Sequence, residues 1–149
     1  MTDLAGTPVS GNDAGLRAAL LAAGLPVDDL AEPGRLFWRF EAMGQPVGYG
    51  GLEPLGAHAL LRSLVVRPEA RGQGHGQAMA RRLLALAAER GAQSAWLLTT
   101  TAAAFFEALG FTRAERRDAP AAVLATRQAS SICGAAPLLT RPVSATHAA

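Results

Sequence analysis

Apolar residues recur at two periods along the chain, and the alternation between them predicts its elements. Behind Asp13, the residues Leu16, Leu20 and Ala23 return at helical spacing and stop at Gly24, the pattern of a capped amphipathic helix. Val27-Asp-Asp-Leu30 fits one more turn before Pro33-Gly34. Leu36-Phe-Trp-Arg-Phe40 then reads as a strand, Met43-Gly44-Gln45 as a turn and Pro46 to Leu52 as the hairpin partner. Gly48, Gly50 and Gly51 should leave one face of that partner bare, as where backbone or ligand approaches closely. A third strand runs from about His58 to Val66.

After it the period changes again. Met79, Leu83, Leu86 and Ala87 recur at helical spacing, with Arg81 and Arg82 on the other side, up to Gly91. Ala95-Trp-Leu-Leu98 is short and apolar, a buried strand. Thr100 or Thr101 can cap a second helix, Ala102 to Leu109, that Gly110 terminates. Phe111 to Arg117 alternates as a strand. Pro120 opens an alanine-rich helical stretch reaching about Ser131, and Pro137 to Arg141 offers a last strand. Residues 1–12 are polar and glycine-rich, so a flexible N-terminus is expected, apart from a short strand at Pro8-Val9. Residues 144–149 should fray. Residues 13–143 thus form one α/β domain, with no internal repeat or linker.

Composition narrows the function without naming it. The chain has 149 residues, of which half are apolar, yet no run approaches the roughly 20 needed to cross a bilayer. Its start carries no basic segment ahead of an apolar one, so no signal peptide is expected. The net charge is +2, from 14 basic and 12 acidic residues, and no Lys/Arg run exceeds two, so nucleic acid is not the expected partner. A single cysteine, Cys133, excludes an internal disulfide and fits a reducing cytoplasm.

The chemistry centres on Val66-x-Pro68-x-x-Arg71-Gly72-Gln73-Gly74-His75-Gly76, between the third strand and the long helix. At a helix start the first N–H groups lack intrahelical partners and the macrodipole adds positive charge there. Alternating glycines let those groups turn onto a phosphate with no Cβ in the way. A Walker loop would end in Gly-Lys-Ser/Thr, but Gln77 and Ala78 follow Gly76. A dinucleotide fingerprint would need GxGxxG and a carboxylate about 20 residues on; Trp96 to Thr101 has none.

Arg71-x-x-Gly74-x-Gly76 behind Val66-x-Pro68 resembles the pyrophosphate segment of the GNAT superfamily of acyl-CoA-dependent N-acyltransferases. A second resemblance lies in Ala102 to Phe111, where the family commonly carries Tyr-x-x-x-Gly-Phe. Gly110-Phe111 match, while Phe106 stands at the tyrosine position and Thr99 where asparagine is frequent. Together these elements cover about residues 36–117.

The resemblance implies one GNAT domain: a mixed, mostly antiparallel central sheet with helices on both faces. It also implies acetyl-CoA as co-substrate, bound by Arg71, Gly72, Gln73, Gly74, His75 and Gly76, with Thr99 and Phe106 beside the pantetheine arm. Leu64, Val65 and Val66 would line the cofactor, and a backbone N–H near Leu64 would meet the developing oxyanion. No metal is implied.

Gly51-Leu-Glu53, Ala59 to Ser63, Leu97 to Phe106 and Thr126-x-Gln128-x-Ser-Ser131-x-Cys133 resemble more narrowly the arsenic-resistance N-acetyltransferases of bacterial ars operons. Gly134 and Ala129 depart from that pattern. The implied acceptor is the amine of a small molecule, such as an arsenic- or phosphorus-containing amino acid.

Acetyl transfer needs an anchor, an oxyanion donor, a base and, optionally, an acid. Glu53 is the candidate base; the alternative is a solvated glutamate at a strand end. Arg39, Arg62 and Ser63 are candidate substrate contacts, with Arg39 and Arg62 able to clamp an anion bidentately. The alternative places both arginines on the wet side of a sheet. His58 reads as a turn residue, and His75 as contributing its amide more than its ring. Phe106 cannot protonate a leaving thiolate; Tyr49, Ser63 or the Thr99–Thr101 group could relay a proton. A degenerate CoA-binding module and acylation of a macromolecular amine stay open as other readings, as does a homodimer.

Overall fold

The computed structural model describes residues 4–132 and 135–143; Cys133, Gly134 and the tail from 144 on lie outside the described residues. Seven strands form one sheet in the order β1-β2-β3-β4-β5-β7-β6. They are β1 (Leu4–Val9), β2 (Leu36–Ala42), β3 (Gln45–Leu55), β4 (His58–Val66), β5 (Ser94–Leu98), β6 (Thr112–Ala114) and β7 (Leu138–Pro142). β4 and β5 pair in parallel through His58–Leu60 and Ser94–Trp96, whereas β1/β2, β2/β3, β5/β7 and β6/β7 pair antiparallel. The sheet is mixed and mostly antiparallel, as expected. The helices are α1 (Ala14–Ala22), α2 (His75–Glu89), α3 (Ala103–Glu107) and α4 (Ala121–Leu124). None of the described helices is long and apolar enough to cross a membrane.

The described residues pack as two compact units, 4–53 with 61–84, and 54–60 with those from 85 to 143. In the first, the Asp13 carboxylate accepts from the Leu16 N–H at 2.9 Å and caps α1. Gly24 ends α1 at φ +71°, a left-handed conformation that costs glycine little. Met43 and Gly44 both lie at positive φ between the paired Ala42 and Gln45, a two-residue turn whose twist suits the β2/β3 hairpin. Leu16 and Leu20 pack with Leu30, Phe37, Tyr49 and Val65 into one buried cluster.

Three expectations for this unit change. All six residues of β1 pair with β2, not Pro8-Val9 alone. An edge strand is held by backbone bonds, which leave little trace in side-chain pattern. β3 runs on through Glu53 to Leu55, beyond the expected Leu52. The glycines of β3 face both ways, and both sides are covered by close neighbours. A Cβ on Gly48 would strike the Val65 carbonyl oxygen and approach the Met79 methyl at 2.8 Å. One on Gly50 would meet Leu83, while one on Gly51 would meet Phe37 at 2.6 Å on the opposite face. The bare backbone admits α2 on one side and Phe37 on the other.

The second unit has its own core of Leu60, Trp96, Val123 and Leu138. Ser94 Oγ lies 2.7 Å from His58 Nδ1 and accepts from Trp96 Nε1 at 2.9 Å, so His58 opens β4 instead of sitting in a turn. α3 is shorter than expected, and it is Thr99 whose Oγ1 accepts from the Ala102 N–H at 3.0 Å, in place of Thr100 or Thr101. The stretch read as a strand to Arg117 pairs only through Thr112–Ala114 before a 3-10 turn at Arg116–Asp118. The alanine-rich stretch divides into α4 and a wider turn, Gln128–Ile132. Arg116 donates to the carbonyls of Ala129 and Ala136, drawing that stretch toward its own guanidinium.

Candidate functional site

Most of the residues singled out from the sequence lie in the first unit, along β3, β4 and the start of α2. After β4 a 3-10 turn, Pro68–Ala70, leads into Gly72 and Gly74, at φ +80° and +78°. A Cβ at either position would meet nothing within 4 Å, so these glycines serve the left-handed turn and leave open space above it. The Gly74 carbonyl accepts from the Ala78 N–H at 3.3 Å, the bond that starts α2. The amides of His75, Gly76 and Gln77 come before that first bonded N–H and have no intrahelical partner. Arg71 and Gln73 are exposed beside them. His75 is buried, and its Nδ1 has no hydrogen-bond partner among the described residues. The arrangement is a concentrated set of N–H donors at a helix start, next to one guanidinium, and it suits a phosphate.

Along β4, Leu64 and Val66 are half-buried and Val65 is buried in the core cluster. Ser63 sits at φ +58°, an uncommon conformation for a residue with a Cβ. Such strain, within a strand, interrupts the regular alternation just before Leu64. Ser63 Oγ accepts from Arg62 Nε at 3.2 Å.

Arg62 and Glu53 do not sit where a solvent-facing reading puts them. Arg62 is 4 % exposed and Glu53 4 %. Arg62 NH1 donates to Glu53 Oε2 at 2.9 Å and to Asp29 Oδ2 at 2.6 Å, while NH2 donates to Asp29 Oδ1 at 2.6 Å. Arg62 Cζ lies 5.6 Å from the Phe37 ring centroid. Asp29 also accepts two bonds from Arg35, at 3.1 and 3.0 Å. The guanidinium read as a substrate clamp, or alternatively as lying on a wet face, is spent on two protein carboxylates. A charge deep in a sheet needs such partners, because burial without them costs several kcal/mol per ion.

Burial pushes the Asp29 carboxyl up, but the hydrogen bonds and charge of Arg62, then those of Arg35, more than offset it; its pKa falls below 3.8. Burial likewise works against the Arg62 charge, and Asp29 and Glu53 reverse that, leaving its pKa raised. Arg39 is different: partly exposed, it pairs with Glu41 at 3.1 Å on the same strand. Tyr49 lies under α1, where a Cβ on Gly15 would strike its hydroxyl, and burial together with the Asp13 charge raises its pKa, making it a poorer acid.

Asp29 and Arg35 went unread in the sequence. Asp29 falls in a turn that also holds Asp28 and Glu32, 33 residues from Arg62, and no local spacing links the two. A buried arginine on a strand requires an acid somewhere, and that demand is the only signal the sequence carries.

In the second unit, Thr99 Oγ1 is engaged at the start of α3, and the Thr99 N–H donates to the Pro137 carbonyl at 3.1 Å. Phe106 is buried edge-on against Phe105 and Phe111, at centroid distances of 4.9 and 5.6 Å. Among the described residues no group of three or more His, Cys, Asp and Glu side chains could hold a metal ion.

Comparison with known proteins bears on the family. Solved structures share the fold. N-acetylglutamate synthase from Neisseria gonorrhoeae, in complex with coenzyme A and N-acetyl-glutamate, superposes with a TM-score of 0.76 at 18% identity. That match covers 96% of this chain but 35% of the other, so the chain spans about a third of that protein's length. Rv2747 from Mycobacterium tuberculosis, in complex with CoA, matches at 26% identity and a TM-score of 0.58, over 72% of this chain and 75% of that one. The ribosomal-protein-S18-alanine N-acetyltransferase from Escherichia coli matches at 19% identity and a TM-score of 0.65, over 97% and 95% of the two chains. No curated protein matches the sequence. A family model described as an acetyltransferase (GNAT) domain matches residues 33–113, more than half of the chain and the span that holds the turn, Glu53, Arg62 and Phe106. This chain belongs to the GNAT acetyltransferase family.

Proposed function

We propose that the protein transfers an acetyl group from acetyl-CoA to the amine of a small molecule, by direct attack. The observation that carries this reading is the turn of Gly72 and Gly74 at the start of α2. Its unpaired amides, open space and exposed Arg71 fit a pyrophosphate, and the buried, unpartnered Nδ1 of His75 adds a polar atom in need of a partner. When bound, acetyl-CoA supplies an activated acyl group, whose C–S bond breaks with its electron pair leaving on sulfur as the amine nitrogen bonds to the carbonyl carbon.

The residues of the chain then divide the remaining work. The amides of Gly74, His75 and Gly76 hold the pyrophosphate, with Gly72, Gln73 and Arg71 alongside. Leu64, Val65 and Val66 lie along the pantetheine arm, where the strained Ser63 turns the backbone so that an N–H near Leu64 meets the oxyanion. Arg62, which holds Glu53, lies four residues before Val66, about 13 Å back along β4 at ~3.3 Å per residue, so the β4 residues between them would line the path from the turn to Glu53. Glu53 takes a proton from the acceptor ammonium on its free carboxylate oxygen, leaving the neutral amine to attack. The second proton shed by nitrogen goes to solvent. Thr99 and Phe106 belong to the same reading as pantetheine contacts. Arg39 and Ser63 stand as substrate contacts, whereas Arg62, occupied by Asp29 and Glu53, acts through Glu53.

The narrower sequence resemblance makes an arsenic- or phosphorus-containing amino acid the proposed acceptor, in the cytoplasm of a bacterium carrying arsenic resistance; a homodimer is compatible with this reading. Phe106, buried and without a donor, favours a second reading: a CoA-binding module that performs little chemistry. CoA release from acetyl-CoA, measured with a panel of amino acids that includes phosphorus- and arsenic-containing members, tests the proposal. Turnover of one acceptor with saturation kinetics is expected. No turnover with any of them would favour the module.

A further inference from the structure

The four-charge cluster around Asp29 offers more than fold stability, given the reading above in which Glu53 is the base. Arg62 has five N–H groups in one rigid plane, and four of them have partners. Asp29 grips the NH1 and NH2 edge bidentately at 2.6 Å twice, and Ser63 Oγ takes Nε at 3.2 Å. Two anchors on different edges leave the guanidinium no freedom to turn. The second NH1 proton then has one direction, and Glu53 Oε2 lies there at 2.9 Å. Among the described residues Arg62 is the partner that the Glu53 carboxylate has, so its plane is set by Arg62, and Arg62 is set by Asp29.

Charge points the same way. The charged groups facing this carboxylate are Arg62 from β4, Asp29 from the turn after α1, and Arg35 behind Asp29, itself 3.4 Å from Glu32. With Asp29 ionised, Arg62 keeps a counter-ion even when Glu53 is protonated. The base can then pick up and release its proton without stranding a buried cation.

We propose that Asp29 is a positioning residue for Glu53, acting through Arg62: it fixes the guanidinium plane that aims the Glu53 carboxylate and neutralises the cation while Glu53 carries a proton. Asp29 touches no substrate in this scheme. Its removal should therefore lower kcat and leave the KM for acetyl-CoA unchanged, because the turn at α2 is untouched.

A double-mutant cycle tests this, with kcat for CoA release measured from acetyl-CoA and the best acceptor of the amino-acid panel. Asp29→Asn should lower kcat at least tenfold in the wild-type background and no further in a Glu53→Gln background. Equal losses in both backgrounds would overturn the positioning role while leaving Glu53 as base. A Glu53→Gln variant as fast as wild type would overturn the base assignment and this inference with it, as would a wild type that turns over no amine. Should Asp29→Asn fail to fold, Arg62→Lys keeps the charge but loses the fork. It should lose at least tenfold in kcat with acetyl-CoA KM unchanged; full activity in it would also overturn the proposal.

Discussion

Removing Asp29 should destabilise the fold more than most substitutions do, and the size of the effect comes from what the carboxylate touches. Asp29 accepts two bonds from Arg62 and two from Arg35, with no solvent exposure at its side chain. In Asp29→Leu, Arg35 keeps Glu32 and the Pro33 carbonyl, whereas Arg62, itself fully buried, keeps Glu53 and Ser63 as its hydrogen-bond partners among the described residues. A buried pair broken from one side costs about 3–5 kcal/mol, a large share of a total stability of about 5–15 kcal/mol. For a chain of this size that corresponds to a fall of roughly 6–20 °C in Tm.

Urea denaturation followed by circular dichroism measures the loss as a shift of the midpoint at constant slope. The triple variant Asp29→Leu, Arg62→Met, Glu53→Gln removes every buried charge of the cluster and should recover most of the stability. The effect also has a pH signature. Because the folded pKa of Asp29 lies below its ordinary 3.8, its contribution is present above that value and is lost as pH falls through the folded pKa. The gap between wild type and Asp29→Leu should therefore be full at neutral pH and close only in acid below about 3.8. A triple variant as unstable as the single one, or a gap independent of pH, would refute the reasoning, since the cost would then come from packing.

The same geometry sets three further outcomes. Glu53→Gln should lower kcat by roughly 10²-fold near neutrality with acetyl-CoA binding intact, and the deficit should shrink at high pH, where the acceptor amine arrives deprotonated. Gly48→Ala should destabilise the fold by about 1–3 kcal/mol in urea, because its Cβ meets the Val65 carbonyl oxygen and the Met79 methyl. Phe106→Tyr should leave kcat equal or modestly raised, and turnover seen only in that variant would favour the CoA-binding module.

What the sequence disclosed and what it hid divide along a physical line. Features set by a residue and its near neighbours could be read directly: the Asp13 cap, the Gly24 stop, the Met43-Gly44 turn, and the run from β4 through Gly72 and Gly74 into α2. Each rests on a local demand, for a side-chain oxygen at a helix start or a residue tolerant of positive φ. Features set by distant partners could not. Arg62 had the same identity whether it faced water or Asp29, and only the fold brings residue 29 to residue 62. Glu53 was found as a candidate, yet its burial and its bond to Arg62 were not. Gly48 and Gly50 announced a close approach, and what approaches is α2. Strand β1 was read only at Pro8-Val9, because its backbone, more than its side chains, holds the rest of it in the sheet.

The central claim is that the turn of Gly72 and Gly74 at the start of α2 holds the pyrophosphate of acetyl-CoA. Isothermal titration of wild type and Arg71→Glu with acetyl-CoA tests it most directly, because Arg71 is exposed and its replacement puts an anion beside the turn without disturbing the core. The wild type should bind at one site per chain, and Arg71→Glu should bind at least tenfold more weakly, a loss of at least ~1.4 kcal/mol, with its circular dichroism unchanged. Undiminished affinity in the folded variant, or no binding by the wild type, would contradict the claim.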